Sequence, residues 1–92
     1  MNNVSFKVSK KTEIGKLAGA ISNAFKNDNA ETVTITSVGN DTLQKAVKAI
    51  AAANGFLVED GITIASTPAF EQIDIGEGRS LTAITQTITK IN

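Results

Sequence analysis

The chain has 92 residues, 41% of them hydrophobic and 20% charged, which is the composition of one folded globular domain and not of a disordered segment. Nine basic and nine acidic residues bring the net charge to zero, and there is no cysteine and no histidine. Disulfides, thiolate nucleophiles, imidazole bases and zinc sites built on Cys or His are thereby excluded.

Residues 4–8 alternate apolar and polar, with Val4, Phe6 and Val8 against Ser5 and Lys7, the pattern of a half-buried strand. Ser9, Lys10 and Lys11 make a short basic turn. Thr12 is the expected helix cap, with Glu13 favoured in the first turn by the helix dipole. Ile14, Leu17, Ala18, Ile21, Ala24 and Phe25 then fall at helical spacing in one apolar stripe, and Asn27, Asp28 and Asn29 end the helix. Gly15 and Gly19 on this helix read as permitting close helix packing.

Residues 31–38 read as a second strand, with Val33 and Ile35 on one face and Thr32, Thr34 and Thr36 on the other. A second helix follows a glycine, Gly39, with Asn40 or Asp41 as its cap. Its expected stripe is Leu43, Ala46, Val47, Ile50 and Ala51, and Gly55 suits the left-handed position that closes a helix. Ala49, Ala52 and Ala53 would then form a small-residue surface, suited to packing against another subunit. A third strand begins at Ile62, where Pro68 is expected to break or bulge it. It resumes at Ile73 and Ile75, turns at Gly76, Glu77 and Gly78, and returns over residues 81–91. In that last run the threonines at 82, 85, 87 and 89 keep no clean register with Leu81, Ile84 and Ile88.

The order is β-α-β-α-β-β. It implies one α+β domain over residues 1–92, a two-layer sandwich in which a four-stranded mixed sheet carries two helices on one face. Charge is unevenly spread. Residues 1–48 hold seven lysines against Glu13, Asp28, Glu31 and Asp41, and residues 49–92 hold Arg79 and Lys90 against Glu59, Asp60, Glu71, Asp74 and Glu77. Such a polarity directs a partner to one end of a molecule. No apolar signal core or membrane-length segment occurs, so a cytoplasmic protein is expected. No acid pair is placed for acid–base work and no glycine-rich phosphate loop carries a lysine at the required spacing, so catalysis is not expected.

Three blocks of residues resemble one family. The first is Val8-Ser9 with Leu17-Ala18-Gly19-Ala20. The second is Gly39 with Gln44-Lys45-Ala46-Val47-Lys48-Ala49-Ile50-Ala51, closed by Gly55-Phe56. The third is Pro68-Ala69-Phe70 with Ile73 and Ile75, then Gly78-Arg79 and Thr82-Ala83-Ile84. Together they resemble the stage V sporulation protein S family, within the wider group of Alba-like domains. The resemblance implies a bacterial protein, dimeric or larger, that binds nucleic acid, DNA or RNA, and is linked to sporulation. No cofactor and no metal are expected.

In Alba-like domains contacts come from the basic turn after the first strand, the second strand–helix junction and the last hairpin. Carried over by position, that nominates Lys10 and Lys11, then Asn40 and Lys45, then Arg79. Lys48 fits the family pattern on the same helical face as Lys45, and Lys16 follows on the first helix. Each has a plainer reading: a solvated turn for Lys10 and Lys11, a soluble helix face for Lys16, Lys45 and Lys48, and an ion pair with Glu77 or Asp74 for Arg79. Phe70 reads as a subunit anchor or a core residue. Archaeal Alba proteins carry arginines where this chain has Val38 and Asn40, and a long basic hairpin where this one holds Asp74 and Glu77. Binding is therefore expected to be weak to moderate and directed at backbone phosphates. An oligomeric protein-interaction module without nucleic acid, and a nucleotide or small-ligand site at Gly39-Asn40-Asp41, stand as alternatives.

Overall fold

The computed structural model describes residues 2–91; Met1 and Asn92, counted in the single domain above, lie outside it. Its elements are β1 (Asn3–Lys7), α1 (Ile14–Lys26), β2 (Thr32–Ser37), α2 (Asn40–Val58), β3 (Ile64–Gly76) and β4 (Arg79–Lys90). They form one four-stranded sheet in the order β1-β2-β4-β3. β1 and β2 are parallel, and β4 is antiparallel to both β2 and β3. The chain is the α+β, two-layer arrangement expected of it.

Register decides which strand face meets the helices. Val33 opposes Ile88, and Val4 and Phe6 oppose Val33 and Ile35. These residues share a face and join one core cluster with Leu17, Ala18, Ile21 and Phe25 of α1 and Ala46, Ala49, Ala53 and Leu57 of α2. The opposite face holds threonines in register across two strands: Thr32 with Thr89, Thr34 with Thr87 and Thr36 with Thr85. Over residues 84–89 β4 thus keeps a two-residue alternation, with Thr85, Thr87 and Thr89 on the face away from the helices.

Several local expectations are corrected. Helix α1 begins after Glu13, not Thr12, because the Thr12 hydroxyl is engaged by the Ser9 N–H at 2.9 Å. Helix α2 begins after Gly39, whose φ of +91° suits glycine, and no side chain caps it. It also runs through Gly55 to Val58. The left-handed stop is Gly61, whose N–H bonds the Val58 carbonyl while that of Ile62 reaches Leu57, both at 3.0 Å. The buried face of α2 is Thr42, Ala46, Ala49, Ala53 and Leu57, rotated from the expected stripe, because small residues face α1 where the two helices approach. Ala49 and Ala53 are therefore core rather than subunit surface. Finally, Pro68 leaves β3 unbroken, since β3 is an edge strand and a missing N–H is tolerated there; the bulge lies between Asp74 and Gly76.

Gly15 and Gly19 are exposed, and a Cβ on either would meet nothing within 4 Å. They do not mediate helix packing. At the other end of the helix pair Lys26 bridges to Asp60 at 2.8 Å, an exposed pair of small energetic weight.

Candidate nucleic-acid interface

Because β1 and β2 run parallel and each is followed by a helix, both strand-to-helix turns emerge at one end of the sheet. β4 runs the other way, so its start and the β3–β4 hairpin lie at that same end. The last β2–β4 pair is Ser37 with Ile84; residues 79–83 of β4 extend past it, an arm of about 17 Å at strand rise. The topology therefore gathers the turn at residues 9–12, the Gly39 junction and the hairpin.

The turn is locally closed. Ser9 N–H donates to Thr12 Oγ1, Thr12 N–H to the Ser9 carbonyl at 3.1 Å, and Lys11 N–H to Ser9 Oγ at 3.2 Å. This presents Lys10 and Lys11 in a fixed loop, both exposed. Between turn and α2 lies a cleft of about 370 Å³ lined by Lys10, Ile14, Asp41, Gln44, Lys45 and Lys48. Lys10 and Lys48 have no ion-pair partner among the described residues. Lys45 is half-buried and committed: its Nζ donates to the Lys10 carbonyl at 2.5 Å and the Thr12 carbonyl at 3.0 Å.

The N-terminus of α2 adds main-chain donors. Thr42 Oγ1 donates backward to the carbonyls of Val38 at 2.6 Å and Gly39 at 3.0 Å, so it does not cap the first-turn N–H groups. Asn40 lies on the side of α2 toward the hairpin, where it shares a smaller cavity of about 170 Å³ with Ser37, Gly39, Leu43, Phe70, Thr82 and Ile84.

Two nominated cations stand apart. Lys16 pairs with Glu13 at 3.1 Å on the exposed side of α1. Arg79 lies beyond the hairpin turn, where Gly76, Glu77 and Gly78 all have positive φ. The pairing with Asp74 or Glu77 is not formed; Asp74 Oδ1 instead accepts the Gly76 N–H at 2.8 Å. The arm also carries Glu71, so it contributes more negative than positive charge. Sequence reasoning passed over Lys7, exposed at the last position of β1 and thus at this same end; the strand alternation that places it on the open face was its signal.

Apolar residues border the site. Phe70 is 80% exposed, and with Pro68, Ala69 and Ile84 it lines a third cavity of about 230 Å³. Val47 on α2 is about half exposed, as is Val58 at the far end of that helix.

Among solved structures, the chain is similar to Alba from Thermoplasma volcanium, with 22% identity and a TM-score of 0.60 over 97% of this chain and 98% of that one. That likeness concerns the fold. The model of the stage V sporulation protein S family matches residues 4–91. With nearly the whole chain matched, and with the β-α-β-α-β-β order and mixed sheet that the resemblance implies, the chain belongs to the stage V sporulation protein S (SpoVS) family.

Proposed function

We propose that this protein is a non-catalytic, cytoplasmic regulator that binds DNA or RNA through backbone phosphates as a homodimer or larger assembly, with a role in sporulation. The observation that carries this reading is the convergence of Lys10, Lys11 and Lys48 with an uncapped α2 N-terminus at one end of the sheet. Lysines and main-chain N–H groups suit phosphates and read no base edges, so the binding is nearly independent of sequence. Two such ends in a dimer neutralise about four to six phosphates, which corresponds to a slope of log K against log salt of about −4 to −5.

Exposed apolar residues support the dimer. Phe70 and Val47 are large and exposed at the hairpin side of α2, the profile of a contact that a second copy covers.

The test is fluorescence anisotropy of labelled duplex DNA, single-stranded DNA and RNA at three salt concentrations. A saturable signal that falls log-linearly with salt is the expected result, and its ranking identifies the preferred nucleic acid. A flat signal at every salt removes the reading and favours the protein-interaction module, which the acidic opposite end (Asp28, Glu31, Glu59 and Asp60) would then serve.

A further inference from the structure

Lys45 was nominated as a phosphate contact by position, yet its ammonium faces the protein. The local bonds of the turn at residues 9–12 set its shape and leave its orientation toward α2 undetermined. The long-range bonds from Lys45, reaching 35 and 33 residues back along the chain, supply that orientation. They also matter electrostatically. Lys10 and Lys45 both line the cleft, and a carbonyl left bare beside it would repel an anion. An ammonium has three donors and no acceptor; two of the three are spent on these carbonyls.

From this we infer that Lys45 is a positioning residue, which acts on nucleic-acid binding by holding the basic turn so that Lys10 stands over the cleft with Lys11 beside it in the turn, without itself contacting the nucleic acid. The inference rests on the nucleic-acid reading above. It differs from that reading in assigning Lys45 a role through its neighbours, and it predicts energetic coupling that a direct contact would not show.

The experiment is a mutant cycle in the full chain, using whichever labelled nucleic acid the wild-type protein prefers. Lys45→Met keeps the length of the side chain and removes its donors. Lys45→Arg keeps a cation with several donors. In the wild-type background Lys45→Met weakens binding about tenfold, the scale of losing hydrogen bonds to a charged group, and Lys45→Arg restores most of it. In a Lys10→Ala/Lys11→Ala background the same Lys45→Met change has less than about a twofold effect, because the residues through which it acts are gone. Equal losses in both backgrounds, each with a salt slope reduced by about 0.9, would identify a direct phosphate contact and overturn the inference.

A second readout needs no nucleic acid. Amide hydrogen exchange at Thr12, whose N–H closes the turn, accelerates in Lys45→Met and returns toward wild type in Lys45→Arg, with the thermal unfolding of both variants as a control on the fold. Unchanged exchange in Lys45→Met overturns the tether even where binding falls. A wild-type protein that binds no nucleic acid at any salt removes the parent reading instead, and the exchange data still decide whether Lys45 holds the turn.

Discussion

On the face of α2 turned toward α1 and the sheet, Ala46, Ala49, Ala53 and Leu57 are fully buried, whereas Val47 and Val58 on the adjoining flank are about half exposed. The small residues are inside and several of the large ones are outside. Alanines let the two helices approach closely, so burial is achieved by proximity and not by side-chain bulk. The two valines are left on the surface, Val58 at the far end of α2 from Phe70. One helix therefore has two apolar sides: one completes the fold, and the other is the side on which the proposed assembly can be tested.

The comparison is tested hardest at Leu57. Truncation to alanine removes a fully buried side chain and is expected to cost about 3 kcal/mol in urea unfolding. Val47→Ala on the exposed flank should change stability by less than about 0.5 kcal/mol at low protein concentration. A large Val47 effect that grows with concentration would show that the flank is already buried in an assembly. The next test is Phe70→Asp. A charge on the most exposed of these apolar residues should shift the molar mass by light scattering toward the monomer while circular dichroism stays unchanged. A mass that does not move would separate the apolar flank from assembly.

A smaller effect sharpens the contrast between α2 as scaffold and α2 as binding surface. Lys48 is exposed, without an ion-pair partner among the described residues, and lines the cleft. Lys48→Ala should reduce the magnitude of the salt slope by about 0.9 per subunit and leave the melting temperature unchanged. An unchanged slope would confine the site to the turn and the hairpin.

Why some of this was legible in the chain and some not follows from the same helix. α1 packs through one face, so the spacing of Leu17, Ala18, Ile21 and Phe25 pointed to the right residues. α2 has two apolar faces, and periodicity merges them into one stripe lying between the two. Gly55 resembled a stop because glycine usually is one, but burial of Leu57 holds the last turn in helix and moves the stop to Gly61. Pro68 suggests a break or bulge and makes neither, because the strand order, which puts β3 at an edge, is a tertiary fact. The clustering of the basic turn, the Gly39 junction and the hairpin could be anticipated from a β-α-β order and the resemblance. The commitment of Lys45 to two carbonyls could not, because those partners lie more than thirty residues away in sequence and no periodicity links them.

The mildest prediction concerns the glycines. Gly15 and Gly19 in α1 and Gly55 in α2 lie within helices, carry no positive φ and leave open space where a Cβ would be. Alanine should therefore stabilise each helix by about 0.5–1 kcal/mol, by restricting the unfolded chain and raising helix propensity. The three positions report on different surfaces. Gly15 and Gly19 sit on α1, away from Phe70, so their gain should persist at every protein concentration. Gly55 follows the half-exposed Asn54 and precedes the exposed Phe56 and Val58 on α2. A gain at Gly55 in dilute protein that disappears as concentration rises would mean that a second copy packs closely on that surface. A constant gain would exclude that surface and leave the Val47 and Phe70 side as the one to test for assembly.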